Sequence, residues 1–269
     1  MLARCSSRLK LLPKTPFQRR YSDAVDFSRP KTKDLRATVT PAGVHIFVSM
    51  RNRFNNAWPY DFGPKEVGDK DAELVVSVKK TAEACGAERP MVTAYEETSR
   101  WWPEYEGRDI IIYPHNIMLK NVTDSDMQQR ITQVLQDKET KEDDLTKTLK
   151  GEKYIFVCTH GNRDARCGHC GPALVYNLQE EINKRGIEDV YVRGCSHVGG
   201  HAYAGNVLMY PQMDWFGYVS PEHVKSVIDH SSSGKAKEEM PEDLKSLWRG
   251  NIHLNKDEQK EFYATLNQK

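Results

Sequence analysis

The sequence predicts an α/β protein of two half-size units in tandem, with the chemistry confined to the second. Three observations lead there. Short apolar runs alternate with segments of helical periodicity in a strand–helix–strand–strand–helix order, which is the signature of a layered α/β fold. A strand-and-helix rhythm resumes after a charged stretch at 137–152. In this second round alone, a strand runs into a loop dense in cysteine, histidine and glycine, Cys158-Thr-His-Gly-Asn-Arg-Asp-Ala-Arg-Cys167-Gly-His-Cys170.

Along the first unit, 36–136, the run Val44–Val48 reads as a buried strand and 51–69, with Trp58-Pro59 and Gly63-Pro64, as a long loop. Leu74, Val75, Val78 and Ala82 recur at helical spacing within Asp71–Cys85, and Gly86 stops that helix. Met91–Tyr95 and Asp109–Tyr113 read as strands, the latter closed by Pro114, and Thr123 or Asp124 caps a helix reaching about Leu135. The mixed charges of 137–152 offer little to bury and read as a linker.

In the second unit, 153–230, Lys153–Cys158 is a strand and Pro172–Arg185 a helix stopped by Gly186. Asp189–Arg193, Asn206–Tyr210 and Trp215–Val219 are strands, and Ser220-Pro221 starts a last helix. Strand–helix–strand, then a strand pair and a helix, is the thioredoxin order. The first unit has Ser49-Met50-Arg51 where the second has its cysteine loop, so it lacks the second unit's chemistry. Residues 231–269 read as a mobile tail in which Trp248 packs back as an anchor.

With 269 residues, 29% of them charged, and a mean hydropathy of −0.70, the chain can bury a core beneath a well-solvated surface. No apolar run approaches the ~18 residues of a membrane span. A net charge of +1 predicts no nucleic-acid partner. That balance conceals an asymmetry. Arg4, Arg8, Lys10, Lys14, Arg19 and Arg20 precede the first acid, Asp23, among several serines. This is the composition of a mitochondrial transit peptide spanning 1–21, which implies matrix localisation; a chloroplast leader and a disordered basic arm are the alternatives. Cleavage near Tyr21 removes six of 39 basic residues and leaves an acidic chain, 33 against 38.

Four of the six cysteines fall between 158 and 195, a clustering unlike a secreted disulfide framework. Cys158 and Cys167, eight residues apart, are answered downstream by His197 and His201 across Val-Gly-Gly. Two thiolates and two imidazoles suit zinc or an iron–sulfur cluster and not magnesium or calcium. Spacing alone leaves zinc and cluster open. Arg163, Asp164 and Arg166, between the cysteines, are either tuning partners of the ligands or solvated loop charges. Cys167-Gly-His-Cys170 offers the competing reading of a thiol–disulfide oxidoreductase, although it lies nine residues beyond the strand end and leaves both histidines unexplained.

Cys158-x8-Cys167 followed by Ser196-His-Val-Gly-Gly-His-Ala-Tyr-Ala-Gly-Asn206, Trp215-Phe-Gly217 and Trp248-Arg-Gly250 resembles the sucrase/ferredoxin-like family, in its mitochondrial branch. The resemblance spans roughly residues 40–255. It implies a degenerate thioredoxin-like first unit and a thioredoxin-like ferredoxin second unit, with a [2Fe–2S] cluster on Cys158, Cys167, His197 and His201. Such a protein is a one-electron carrier with an unidentified protein redox partner and no nucleophile or base of its own. Cys170 and Cys195 are not required ligands. An accessory role in a larger mitochondrial complex is the third reading.

Overall fold

A computed structural model describes residues 26–27, 33–50, 58–62, 68–97, 106–136, 140–233 and 239–266. The leader expected at 1–21 lies outside them. The first half runs β1 (His45–Met50), α1 (Lys70–Ala84), β2 (Met91–Glu96), β3 (Arg108–Tyr113), β4 (Ile117–Val122), α2 (Met127–Gln136) and β5 (Thr146–Thr148). The second half runs β6 (Lys153–Cys158), α3 (Ala165–Arg185), β7 (Val190–Cys195), β8 (Val207–Tyr210), β9 (Asp214–Phe216), α4 (Val224–Ser233), α5 (Glu242–Lys245), β10 (Trp248–Asn251) and α6 (Lys256–Leu266).

All ten strands join in one sheet, in the order β10-β9-β8-β6-β7-β2-β1-β3-β4-β5. Each half pairs one parallel couple, β1 with β2 and β6 with β7, and adds antiparallel strands beyond it. The halves meet where β2 and β7 run antiparallel, and there only Tyr95 and Cys195 are paired. So short a seam lets the sheet crease. Phe47 of β1 and Phe156 of β6, three strands apart in the sheet order, stack with centroids 3.8 Å apart and planes 6° apart. Neighbouring strands are spaced about 4.8 Å, so a flat sheet would hold these rings roughly 14 Å apart. The half-sheets are therefore folded face to face.

Side-chain alternation sorts the core into layers. Phe47, Tyr113, Tyr154, Phe156 and Tyr210 fill the space between the half-sheets. The alternate residues of the same strands point outward. Ile155 and Val157 meet Leu174, Leu178 and Ile182 of α3 and Val227 and Ile228 of α4. Ile46, Val48, Ile110 and Ile112 meet Val75, Val78 and Ala82 of α1 and Ile131 and Val134 of α2. The architecture is thus helix, sheet, sheet, helix.

Three expectations are corrected. The stretch 137–152 is not simply a linker, because Thr146–Thr148 pairs with Ile117–Leu119 of β4 and extends the sheet. The tail is not mobile across its described residues 239–266: β10 pairs with β9, and Trp248 is fully buried with its indole N–H donating to Asp214 Oδ1 at 3.0 Å. The chain start holds it there, through Thr38 N–H to Arg249 O, Ala42 N–H to Ile252 O, and Lys256 Nζ to the carbonyls of Ala37 and Val39. Finally, α3 begins seven residues before Pro172. Asp164 caps it by accepting from Arg166 N–H, and Pro172 is accommodated inside the helix.

The inner face contains one buried imidazole. His45 bonds Tyr210 Oη at 2.5 Å and Thr93 Oγ1 at 2.7 Å, and burial holds its pKa down to about 3. Its folded pKa lies below the unfolded value near 6.5, so only the unfolded chain binds this proton between the two. Stability is therefore lost as pH falls from about 6.5 toward 3, by roughly 2 kcal/mol at pH 5 from this residue alone. Denaturant unfolding at pH 7 and pH 5 should show that H45Q abolishes this part of the acid loss.

Candidate functional site

The parallel pair β6/β7 ends in register, Cys158 beside Cys195. Carboxyl ends of parallel strands are where open α/β sheets place their ligands. The Cys158 N–H donates to Asn206 O and the Thr159 N–H to Cys195 O, so the loop leaves β6 tied to both neighbouring segments. It then turns at Asp164 into α3, whose first turn carries Cys167. The helix presses closely on the strand end: a Cβ on Gly171 would sit 2.2 Å from the Cys158 carbonyl oxygen, so this position demands glycine.

Cys158 and Cys167 are buried side by side. The Cys167 thiol donates to the Cys158 sulfur, which holds Cys158 below the usual thiol range against its burial, with His197 adding to the effect. By the same bond Cys167 is pushed up. The bond thus favours a thiolate on Cys158 and a thiol on Cys167. His197 is half-buried, and its Nδ1 is closed off from water without a hydrogen-bond partner among the described residues. The His201 ring stands 5.8 Å from that of His197 and is exposed. For comparison, a tetrahedral metal with metal–nitrogen bonds of about 2.1 Å holds two imidazole centroids roughly 5 Å apart.

The structure thus brings Cys167 and His197 each against Cys158 and places His201 at the rim. Among the described residues, no three His, Cys, Asp or Glu side chains converge on a point fit for a single metal ion. A [2Fe–2S] core asks for two protein ligands at each of two irons. Soft thiols, a neighbouring imidazole pair and an orphaned buried ring nitrogen fit such a core.

The cation over this site went unrecognised in the sequence. Arg249, 2% exposed, donates from Nε to Thr38 Oγ1 at 3.1 Å and from Nη1 to Asn206 Oδ1 at 2.8 Å. Its guanidinium lies over the rings of Tyr203 (4.9 Å) and Trp215 (5.8 Å). Burial lowers its pKa to about 10, so it stays charged at neutral pH, and Tyr203, Cys158 and Cys167 all favour the charge. Gly199 and Gly200 turn the histidine loop at φ +83° and +72°, and a Cβ on Gly200 would meet Arg249 Nη2 at 2.3 Å. The one sequence signal for this residue was its place in Trp248-Arg-Gly250.

The loop charges make their direct bonds to one another and to the first half, while Asp164 and Arg166 stay within electrostatic reach of Cys167, and Asp164 of His201 as well. Arg166 forks onto the Asp164 carboxylate at 2.9 and 2.8 Å, while Arg163 reaches Asp61 at 3.8 Å and lies 4.9 Å over the Tyr60 ring. Cys170 and Cys195 are buried thiols. The first half also contributes. Trp58 Nε1 donates to Thr159 Oγ1, Asn162 Nδ2 donates to Trp58 O, and His160 Nε2 donates to Pro59 O. His160 Nδ1 accepts the His197 backbone N–H, which fixes the tautomer. Burial holds His160 down to about 4 and so keeps it neutral. Glu96, at the end of β2, accepts from Thr159 Oγ1, and burial pushes it up to about 7.

The sucrase/ferredoxin-like family profile matches residues 35–250. Altered inheritance of mitochondria protein 32 of Debaryomyces hansenii is 38% identical over 119 residues, which are 42% of this chain and 41% of that protein. Its Meyerozyma guilliermondii counterpart is 38% identical over 95 residues, 34% and 32% of the two chains. Each match thus spans well under half of the relative's length. A thioredoxin-like [2Fe–2S] ferredoxin from Aquifex aeolicus aligns with 33% of this chain and 88% of its own, at 22% identity and a TM-score of 0.29, too weak a likeness to inform the site.

Contact between Gly200 and Arg249 makes a double-mutant cycle informative. G200A should destabilise the chain by the left-handed backbone cost of about 1–2 kcal/mol plus the clash with Arg249. In an R249A background only the backbone cost should remain. Equal penalties in both backgrounds, measured by denaturant unfolding, would show that the guanidinium does not support the histidine turn.

Proposed function

The chain belongs to the sucrase/ferredoxin-like family, and from that premise we propose that it binds a [2Fe–2S] cluster and acts as a one-electron carrier. Cys158 and Cys167 would hold one iron, and His197 and His201 the other. The observation that carries this reading is the sulfur pair with His197 against Cys158, the buried Nδ1 of that ring having no partner among the described residues. When bound, the cluster supplies a one-electron store; the remaining work belongs to the chain's own residues.

The bond from Cys167 to Cys158 carries a proton that metal binding must displace. The Gly199-Gly200 turn lets two imidazoles separated by only three residues approach one point. Arg249 sets a fixed positive charge beside the sulfurs, in surroundings too dry for water to screen it. Helix α3 and the segment around Trp58 close the sulfur side, while His201 is exposed at the rim. Imidazoles in place of two thiolates move a centre from about −400 mV toward the range of roughly −150 to +300 mV. With the like strand order of the two half-sheets, we read 36–136 and 153–230 as two thioredoxin-like units, the ligands being confined to the second.

Relatives named for mitochondrial inheritance and the basic, acid-free start at 1–21 support a mitochondrial matrix location. A protein redox partner, or membership of a mitochondrial complex, goes with the carrier role. No helix among the described residues is long and apolar enough to cross a membrane. Dithiol exchange by Cys167 and Cys170 is the weaker reading, since these thiols are 0% and 2% exposed and an incoming disulfide would have to reach them through packed structure.

Protein purified without oxygen should be coloured and contain about two irons per chain. C158S and C167S should lose the colour, whereas H197C and H201C should keep a cluster with shifted absorption and a lower potential. R249M should retain the cluster and also lower its potential, because a buried cation favours the reduced state. A colourless, iron-free protein, or one with zinc alone, would overturn the reading, as would an unchanged spectrum in both histidine variants.

A further inference from the structure

A cleft of about 960 Å³ opens between α1, the start of β2, the 58–62 segment and the histidine loop, and His160 and His197 are among the residues that line it. This is the size of a small-molecule site. Its floor is apolar, with Val75 and Val76 of α1 and Val92 of β2. Phe62 and Tyr60 supply aromatic surface. Tyr60 is 59% exposed, one of two large hydrophobic residues left in solvent among those described, and Arg163 braces its ring.

Charge around the cleft is uneven. Lys79, Lys80, Arg89 and Arg163 line it, against Asp61 and Glu83. Arg163 and Asp61 face each other at 3.8 Å. Lys79, Lys80 and Arg89 have no carboxylate partner among the described residues. Unpaired cations beside an apolar, aromatic floor complement a flat molecule carrying a phosphate or carboxylate. His197 supplies the position: it is both a wall of the cleft and the half-buried ring in contact with Cys158.

We propose that this cleft binds a small aromatic redox molecule with an anionic group, its ring toward His197 and its charge on Lys79 and Lys80. The inference rests on the cluster reading for the purpose of the site and on the cleft alone for the binding. The molecule is the electron partner of the centre: one loses a single electron, the other gains it, and no bond forms or breaks. The family-matched ligands of the second half would then take their substrate from a surface built largely by the first half.

Flavin mononucleotide and riboflavin share a ring and differ by a phosphate, so together they separate the two parts of the claim. Fluorescence titration of the full chain should show the phosphorylated flavin binding roughly tenfold or more tightly than riboflavin, an advantage that shrinks as salt is raised. K79E/K80E, on an exposed helix face, should remove that advantage and leave riboflavin binding unchanged. V76W should weaken both by filling the floor. In coloured protein the bound flavin should also shift the cluster's visible spectrum. Equal affinity for the two flavins, or binding indifferent to both variants, would overturn the proposal. A colourless protein that still discriminates the flavins keeps the binding site and sinks the cluster; a coloured protein that binds neither does the reverse.

Discussion

The face at which the two half-sheets meet governs the rest of the structure. One pair of residues, Tyr95 and Cys195, joins the halves along the sheet, so backbone pairing contributes little to holding them together. Packing does that work. Phe47 on Phe156, Tyr113 against Tyr210 at 4.4 Å and His45 bonded to Tyr210 are contacts between residues far apart in sequence, all on one inner face. Aromatic rings bury large areas and gain further from offset and edge contacts, which suits a joint that few hydrogen bonds define. The same face continues to the ends of β6 and β7, where Cys158, Cys167 and Cys195 take the places that aromatic rings fill lower down. The sulfurs are therefore dry because the halves are folded together.

Arg249 is the costly element in that arrangement. A guanidinium 2% exposed has lost its water, and such a group persists only where hydrogen bonds and nearby negative charge replace it. Thr38 and Asn206 supply bonds from the chain start and from the strand next to the site, while Tyr203 and Trp215 supply ring faces. Three segments, around Thr38, Tyr203–Asn206 and Trp215, thus converge on one cation. What the sequence presents as a tail carries the residue that braces the histidine turn, which is why that tail is fastened by Thr38, Ala42 and Lys256.

Much of this was legible in the residues, for physical reasons. Strands such as Lys153–Cys158 bury every residue but the first, so unbroken apolar runs marked them. That Cys158, Cys167, His197 and His201 lie near one another was legible because thiols and imidazoles set among glycines have few structural explanations. What escaped notice lacked a local signal. Thr146-Lys-Thr148 has no apolar side chain and is a strand only because β4 offers it backbone partners. Trp248-Arg-Gly-Asn251 mixes charge and glycine, yet all four residues are buried. Proline at 172 read as a helix start because that is its commonest helical place, while Asp164 caps the helix a full two turns earlier. Arg249 is an ordinary surface type that tertiary packing alone put inside, and Glu96 one that it half-buried.

Electrostatics connects these elements to the proposed chemistry. In the chain as described, the bond from the Cys167 thiol favours negative charge on the Cys158 sulfur, and the positive charge of Arg249 favours it too. An oxidised two-iron, two-sulfide core on two thiolates and two neutral imidazoles carries no net charge, so the guanidinium would then lack a counterpart at close range. Adding an electron restores it. Four thiolates would leave the centre negative in both states, and the cation would be matched before any electron arrived. A fixed cation nevertheless favours the added electron by the same Coulomb energy whatever charge the centre starts from, so Arg249 and the two imidazoles would each raise the potential and their contributions would add. Replacing either histidine by cysteine should therefore leave the potential shift produced by R249M essentially unchanged.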